Sequence, residues 1–223
     1  MKPATLAFDV YGTLINPLAM AAPLAEIAGD KAGALAKLWR ETQLAYSFRR
    51  AAMGAYAPFS QVTEEALDYA LDAIGIQATS AEKAALLAQY TRLPAFDEVP
   101  EALAALAKIG HKMHAFSNGT LEDIGTLMDT AGLSTFLGDP VSVAGVQSFK
   151  PDPRVYALFE EKTAAEARSV WLLSSNPFDI IGAGQAGWNT IWVQRSPEIP
   201  FDPWGKRPTH IVSDLSEVAA LIG

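Results

Sequence analysis

Short apolar runs, most of them followed by a small or polar residue and then by apolar residues at helical spacing, constrain the fold of this chain most strongly. Alternation of this kind predicts βα units and a parallel sheet. The predicted strands are Thr5–Phe8, Lys112–Phe116, Val141–Ala144, Val170–Leu173, Thr190–Val193 and His210–Val212. The helices predicted between and after them are Val99–Lys108, Leu121–Ala131, Pro153–Glu161, Phe178–Ala186 and Leu215–Leu221. The pattern therefore predicts an α/β fold with a doubly wound, Rossmann-like parallel sheet.

The segment between the first two predicted strands is far longer than one crossover helix requires. Apolar spacing near the helical period predicts helices over Ala32–Arg50, over Thr63–Ile74 with Thr63 as its N-cap, and over Ser80–Leu93. We therefore expect an α/β core domain of residues 1–15 and 96–223 and an inserted helical cap subdomain of residues 16–95. The cap would stand over the carboxyl edge of the strands, where open α/β sheets bind ligands.

Charge and composition exclude several functional classes. The chain has 17 Lys+Arg against 25 Asp+Glu, a net charge of −8, and the longest basic cluster is Arg49-Arg50, so we expect no nucleic-acid partner. The start of the chain does not resemble a signal peptide, and no apolar stretch is long enough to span a bilayer, so we expect no membrane association. Cys is absent, which excludes thiolate chemistry and is typical of a cytoplasmic protein.

Four clusters of polar residues follow predicted strands. They are Phe8–Leu14, Phe116–Thr120, Phe149–Tyr156 and Leu173–Asp179. Each has an ordinary structural explanation, because Asp, Ser, Asn and Gly are common in turns and helix caps and a Lys before a turn is common on surfaces. A functional interpretation arises from their coincidence, since the carboxyl ends of parallel strands meet at one edge of the sheet. There Asp9 could be a nucleophile, Lys150 its counter-charge and Asp179 a base.

These four clusters, with the stretch Trp39-Arg40-x-x-Gln43-Leu44-x-Tyr46 and the position and length of the cap, resemble the haloacid dehalogenase superfamily over essentially the whole chain. Within it, the sequence is similar to the L-2-haloacid dehalogenases. The resemblance implies hydrolysis of short-chain (S)-2-haloacids without a metal or other cofactor. In that reaction Asp9 attacks the halogen-bearing carbon, expels halide and forms an ester, which water cleaves to release a 2-hydroxy acid. A homodimer is also implied.

The resemblance further implies a role for each site residue. Catalytic roles fall to Asp9, Thr13, Lys150, Tyr156, Ser174, Asn176 and Asp179, and halide-binding roles to Arg40, Asn118 and Phe178. The substrate would be held by Arg40, Ser117, Asn118 and the backbone amides of Val10, Tyr11 and Gly12. The apolar wall around the halogen would be formed by Trp39, Leu44, Tyr46 and Phe59.

Two other functions remain open at this point. A Mg²⁺-dependent phosphatase of the same superfamily would carry a second acid two residues after the nucleophile, where this chain has Tyr11. It would also carry metal-binding carboxylates where this chain has Ser174-Ser175-Asn176. Halide leaves without a proton whereas an alkoxide does not, so the missing acid favours dehalogenation. The second alternative is a non-catalytic member of the fold that binds a carboxylic acid.

Overall fold

A six-stranded parallel sheet forms the centre of the computed structural model, which describes residues 3–223. Its strands are β1 (Thr5–Phe8), β2 (Lys112–Ser117), β3 (Val141–Ser142), β4 (Val170–Ser174), β5 (Asn189–Val193) and β6 (His210–Val212). Their spatial order is β3-β2-β1-β4-β5-β6, and every neighbouring pair is parallel. The predicted doubly wound α/β fold is confirmed. Strand order reverses between β1 and β4, the point where such sheets bind ligands.

Helices complete the chain. They are α1 (Ala21–Ala28), α2 (Ala32–Met53), α3 (Phe59–Ile74), α4 (Ser80–Tyr90), α5 (Val99–Ile109), α6 (Leu121–Thr130), α7 (Pro153–Thr163), α8 (Pro177–Gln185) and α9 (Val218–Ile222). The bounds of the predicted core helices differ from the observed bounds by one or two residues at the majority of helix ends. The last predicted helix is split, because a 3-10 turn over Leu215–Glu217 precedes α9. Within residues 3–223, no helix is both long and apolar enough to cross a bilayer.

The helices α1 to α4 leave and rejoin the core through two adjacent chain segments. Ile15 pairs with Ala95 in an isolated antiparallel bridge. Asn16 N donates to Pro94 O at 2.9 Å and Phe96 N donates to Leu14 O at 3.1 Å. The two connections are therefore cross-linked directly beyond β1, close to Asp9.

Two sequence predictions in this region and in the sheet are wrong, and one helix was not predicted. Helix α3 begins at Phe59, after Pro58, so Thr63 lies inside the helix, where its hydroxyl donates to Phe59 O at 2.7 Å instead of capping an end. Helix α1 was not predicted, because Pro23 interrupts the pattern although Pro is tolerated in the first turn. Strand β3 ends at Ser142, whose Oγ accepts from Ala144 N and begins a 3-10 turn.

Candidate active site

Asp9 follows β1 directly and lies at the centre of the four clusters, with 8 % of its surface exposed. Its Oδ2 accepts hydrogen bonds from Asn176 Nδ2 at 2.8 Å, Thr13 Oγ1 at 3.1 Å and Ser174 Oγ at 3.3 Å. Its Oδ1 accepts one longer bond, 3.3 Å, from Lys150 Nζ. The two carboxylate oxygens are therefore unequal: Oδ2 is held by three donors and Oδ1 by a single cation.

The turn after Asp9 is fixed by contacts that the sequence did not predict. Gly12 has φ +86°, and a Cβ on it would lie 2.9 Å from Ser175 Oγ, so the turn requires glycine. Ser175 N donates to Thr13 Oγ1 at 2.9 Å. Arg195, after β5, donates to Gly12 O at 3.0 Å and to Thr13 O at 2.6 Å. We call these Arg195 contacts the clamp. An Arg shortly after a strand is the only sign of the clamp in the sequence, because the carbonyl groups that Arg195 binds lie far away along the chain.

Lys150 is buried, with 2 % of its surface exposed, and its ammonium group has three oxygen partners. Nζ lies 2.7 Å from Asp179 Oδ2, 2.8 Å from Phe116 O and 3.3 Å from Asp9 Oδ1. It also lies 4.1 Å from the centroid of the Phe116 ring. Asn118 Oδ1 accepts from Lys150 N at 2.9 Å and so attaches this loop to the end of β2. A single ammonium group therefore faces two carboxylates in a buried site.

Asp179, in the first turn of α8, has no exposed surface. Burial raises the pKa of its carboxyl group, while the charge of Lys150 opposes the rise. Tyr156 donates its hydroxyl to Asp179 Oδ1 at 2.9 Å, and burial raises the pKa of that phenol well above its usual value, so it stays a donor. Lys150 and Tyr156 together hold the carboxylate from two sides.

Arg40 reaches this centre from α2 of the cap. Its Nη2 lies 3.5 Å from Asn176 Oδ1, and Asn176 in turn contacts Asp9. Its Nη1 donates to Gln43 Oε1 at 2.8 Å. Phe178, at the start of α8, meets the ring of Phe48 edge to face, with centroids 5.1 Å apart. Cap and core thus meet directly beside Asp9.

Donors for an anion surround the end of β1. Within residues 3–223 the amides of Val10 and Tyr11 have no backbone or side-chain acceptor. Gly12 N donates to Ile15 O at 2.8 Å, so the prediction that this amide binds substrate is wrong. Ser117 Oγ accepts from Gly119 N and keeps its own proton to donate. Asn118 uses its oxygen on Lys150, which leaves its Nδ2 donors available.

Three of the four residues predicted to form the apolar wall have identifiable neighbours in the structure. Phe59 lies 6.2 Å from the ring of Tyr11, whose phenol has a pKa raised well above its usual value by burial. Trp39 is buried within the cap, where its Nε1 donates to Thr63 O at 2.8 Å. Tyr46 packs against Tyr69 instead, with centroids 6.2 Å apart. Trp39 and Tyr46, two of the four residues predicted to form the wall, therefore contact other residues of the cap.

The donor set at this centre differs from that of a magnesium site. Among residues 3–223 no cluster of three or more His, Asp or Glu is arranged to hold a metal ion. The ammonium group of Lys150 lies between the carboxylates of Asp9 and Asp179, so both acids are already paired with a cation. Mg²⁺ prefers octahedral oxygen ligands, so these residues do not fit it.

A carboxylate at the strand-order switch point, with a buried Lys and a second Asp, under a helical cap, defines a class of hydrolase. The family model described as haloacid dehalogenase-like hydrolase matches residues 3–187. The chain belongs to this family.

Comparison with known proteins narrows the class. The chain is 36% identical over 218 residues to (S)-2-haloacid dehalogenase 1 of Pseudomonas sp. strain CBS-3, covering 96% of this chain and 94% of that protein. It is 33% identical over 216 residues to the (S)-2-haloacid dehalogenase of Pseudomonas sp. strain YL, covering 97% and 93%. The L-2-haloacid dehalogenase of Xanthobacter autotrophicus, solved with chloropropionic acid covalently bound, superposes with a TM-score of 0.93 at 29% identity, covering 99% of this chain and 98% of that one. These relatives confirm the predicted family and the predicted enzyme class, a hydrolase acting on carbon–halide bonds.

Proposed function

We propose that this enzyme hydrolyses short-chain (S)-2-haloacids to 2-hydroxy acids through an ester on Asp9, without a metal ion. The observation that carries the proposal is the environment of Asp9: a nearly buried carboxylate with three donors on Oδ2 and one ammonium group at Oδ1. Covalent catalysis replaces one difficult displacement by two easier steps. The domain division at residues 15/16 and 95/96 is part of this proposal, with the cap closing over the site.

The first step is attack by Asp9 Oδ1 on the carbon that bears the halogen. Oδ1 is the better nucleophile of the two oxygens, because three hydrogen bonds disperse the charge on Oδ2. Thr13, Ser174 and Asn176 keep the carboxylate in one orientation, which lowers the entropic cost of attack. Lys150 supplies the counter-charge to this carboxylate at 3.3 Å. The new C–O bond forms as the C–X bond breaks, and the electron pair leaves with the halide.

The departing halide needs donors that face the developing charge. Arg40 and the Nδ2 group of Asn118 supply them, with the positive ring edge of Phe178 beside them. Arg40 suits this role because, within residues 3–223, no carboxylate pairs with it. Its charge is available to an anion formed during the reaction.

The substrate carboxylate occupies the donors at the end of β1. The free amides of Val10 and Tyr11 and the Ser117 hydroxyl face this position in the proposal, and the backbone amide of Asn118 contributes from just after β2. Neutral donors of this kind bind a carboxylate without adding a cation that would compete with Lys150 for Asp9. This arrangement places the reacting carbon next to Oδ1.

Water then cleaves the ester at the Asp9 carbonyl. Asp179 takes the water's proton, because burial raises its pKa. Within residues 3–223 each of its oxygens accepts one hydrogen bond, whereas a carboxylate has about four acceptor positions, so positions remain for the water. The ester C–O bond then breaks, the remaining proton of the water passes to the leaving alkoxide oxygen, Asp9 returns to its carboxylate form, and the 2-hydroxy acid is released. Lys150 and Tyr156 hold Asp179 during this step.

Halide release from (S)-2-chloropropionate and (S)-2-bromopropionate in the presence of a chelator tests the proposal. We expect release that chelator does not reduce, loss of all release in Asp9→Asn, and loss of release beyond the first turnover in Asp179→Asn. Hydrolysis of phosphate esters that depends on added Mg²⁺, with no halide release, would instead support the phosphatase. Binding of 2-haloacids without halide release would indicate the non-catalytic alternative. A homodimeric assembly and a cytoplasmic location remain predictions from the sequence.

A further inference from the structure

We infer that Gln43 is a positioning residue that holds the Arg40 guanidinium group toward Asn176 and Asp9. The inference rests on the proposed function, in which Arg40 receives the departing halide. Gln43 lies one helical turn after Arg40 on α2, and its side chain is buried, with 1 % of its surface exposed. The residue does not touch Asp9, so it would act only through Arg40.

The Arg40 guanidinium group is held at two of its nitrogens. Nη1 donates to Gln43 Oε1 at 2.8 Å, and Nη2 lies 3.5 Å from Asn176 Oδ1, at the limit of a hydrogen bond. Asn176 donates through Nδ2 to Asp9 Oδ2 at 2.8 Å. The contact with Gln43 is the shorter and stronger of the two, so Gln43 is the residue that determines where the charge lies.

The orientation of the Gln43 amide is itself determined by its partners. The Thr63 hydroxyl has one proton, which it donates to Phe59 O at 2.7 Å. Thr63 Oγ1 can therefore only accept from Gln43 Nε2, which lies 2.6 Å away. This contact directs Nε2 toward α3 and leaves Oε1 toward Arg40. The pairing of α2 with α3 thus fixes the direction of the acceptor.

A neutral acceptor suits this task better than a carboxylate. Gln43 orients Arg40 without neutralising it, so the full positive charge remains for an anion. A cavity of ≈400 Å³ lies beside Arg40 and Gln43, lined mostly by apolar side chains of residues 17–24 and of α2. Without the hydrogen bond to Gln43, the long Arg40 side chain has room to turn away from Asn176 into this space. The hydrogen bond and the cavity together make the position of Arg40 depend on Gln43.

A double-mutant cycle with Arg40 tests the inference. We expect Gln43→Met, which keeps side-chain length but removes both hydrogen-bonding groups, to lower kcat/KM for (S)-2-chloropropionate by about ten- to a hundredfold. In an Arg40→Ala background the same change is expected to have no further effect, because the group that Gln43 positions is gone. An equal loss in both backgrounds would overturn the inference.

Bromide binding provides a readout that does not depend on turnover. We expect added bromide to raise the melting temperature of the wild type and to have no such effect on Gln43→Met. If Gln43→Met binds bromide as the wild type does, the positioning role is wrong. If the wild type binds bromide but releases no halide, the proposed reaction fails while the positioning role stands.

Tyr90→Phe is the matched control. Tyr90 donates its hydroxyl to the same Gln43 Oε1, at 3.3 Å, and its ring stacks on Tyr11 with centroids 4.9 Å apart. The substitution removes a buried hydrogen bond to Gln43 but leaves the bond from Gln43 to Arg40. We expect rates and bromide binding close to those of the wild type. Losses as large as those of Gln43→Met would show a general disturbance of the cap and would overturn the inference.

Discussion

Lys150 lies closer to Asp179 than to Asp9: its Nζ is 2.7 Å from Asp179 Oδ2 and 3.3 Å from Asp9 Oδ1. The ammonium group is therefore anchored mainly by the carboxylate that has no exposed surface, and it contacts the other more loosely. Because of this difference in distance, Asp179 and Asp9 have different tasks. Asp179 and Phe116 O keep Lys150 in place, while Asp9 keeps an oxygen that can attack substrate.

Replacing Lys150 tests its role as the shared counter-charge. We expect Lys150→Met to lower the rate of halide release by on the order of 10³-fold. It should also lower the free energy of unfolding at neutral pH by about 3–5 kcal/mol, because two buried carboxylates lose their partner. Urea unfolding gives the second quantity. Lys150→Arg should not restore the rate, since the Phe116 ring and carbonyl leave no room for a planar guanidinium. Full activity of Lys150→Arg would contradict this account.

The acid limb of the pH profile, where the rate falls with decreasing pH, should report the ionisation of Asp179. Burial raises its pKa, and the proposed base for ester hydrolysis must be ionised, so kcat should fall with decreasing pH at values above the ordinary Asp pKa of 3.8. The hydrogen bond from Tyr156 lowers the pKa of Asp179, so Tyr156→Phe should move the limb to higher pH. Rates of halide release across a pH series measure this shift. A limb that moves to lower pH would contradict the assignment.

Two helical glycines form a matched pair. An added Cβ at Gly182 of α8 would collide with the Tyr156 hydroxyl, whereas one at Gly125 of α6 would meet no atom within 4 Å. We expect Gly182→Ala to displace Tyr156 from Asp179, lowering activity and costing about 1–3 kcal/mol of stability. Gly125→Ala should instead stabilise by about 0.5–1 kcal/mol with unchanged activity. Melting curves and halide assays of both variants make the comparison; equal effects would show that Tyr156 is not displaced.

Arg195 should stabilise the turn that carries Thr13. It lies over the Phe96 ring at 3.5 Å, pairs with Glu98 at 2.8 Å and donates to the carbonyls of Gly12 and Thr13. We expect Arg195→Met to cost about 1–3 kcal/mol in the free energy of unfolding, since two carbonyls lose charged donors. It should also slow halide release. Denaturant unfolding measures the first effect.

Arg154 offers the control, because its ion pair with Asp152 at 2.6 Å leaves 61 % of its side chain exposed. Arg154→Met should leave both activity and the unfolding midpoint nearly unchanged. A loss in Arg154→Met as large as that in Arg195→Met would mean that removing any arginine charge has this effect. The clamp on the Asp9 turn would then have no special role.

The sequence predicted the sheet well because its strands are short, continuous apolar runs, and the strand ends are marked by the polar clusters. It predicted that Asp9, Lys150 and Asp179 come together, because parallel strand ends must meet at one edge; Asn176 was assigned to Asp179, whereas its amide donates to Asp9. It missed the start of α3. A Thr followed by two Glu is typical of a helix start, but the helix already begins at Phe59, directly after Pro58. Local composition cannot distinguish these two starts.

Contacts made by residues outside the four clusters were beyond the sequence patterns. Arg195 binds carbonyl oxygens about 180 positions earlier, and such acceptors have no side-chain signature. Gln43 belongs to the stretch of α2 that resembles the haloacid dehalogenase superfamily, but its partners Thr63 and Tyr90 lie 20 and 47 positions away. Its role depends on how α2 packs against α3 and α4, which becomes visible only in three dimensions.

The covalent intermediate on Asp9 is the central claim, and mass spectrometry of the intact Asp179→Asn variant with (S)-2-chloropropionate tests it most directly. Because this variant should form the ester but not hydrolyse it, we predict one adduct per chain, with the mass of the acid less hydrogen chloride. Proteolysis should locate the adduct on Asp9, and Asp9→Asn should form none. Stoichiometric chloride release with no adduct on Asp9, or an adduct on another residue, would contradict the account.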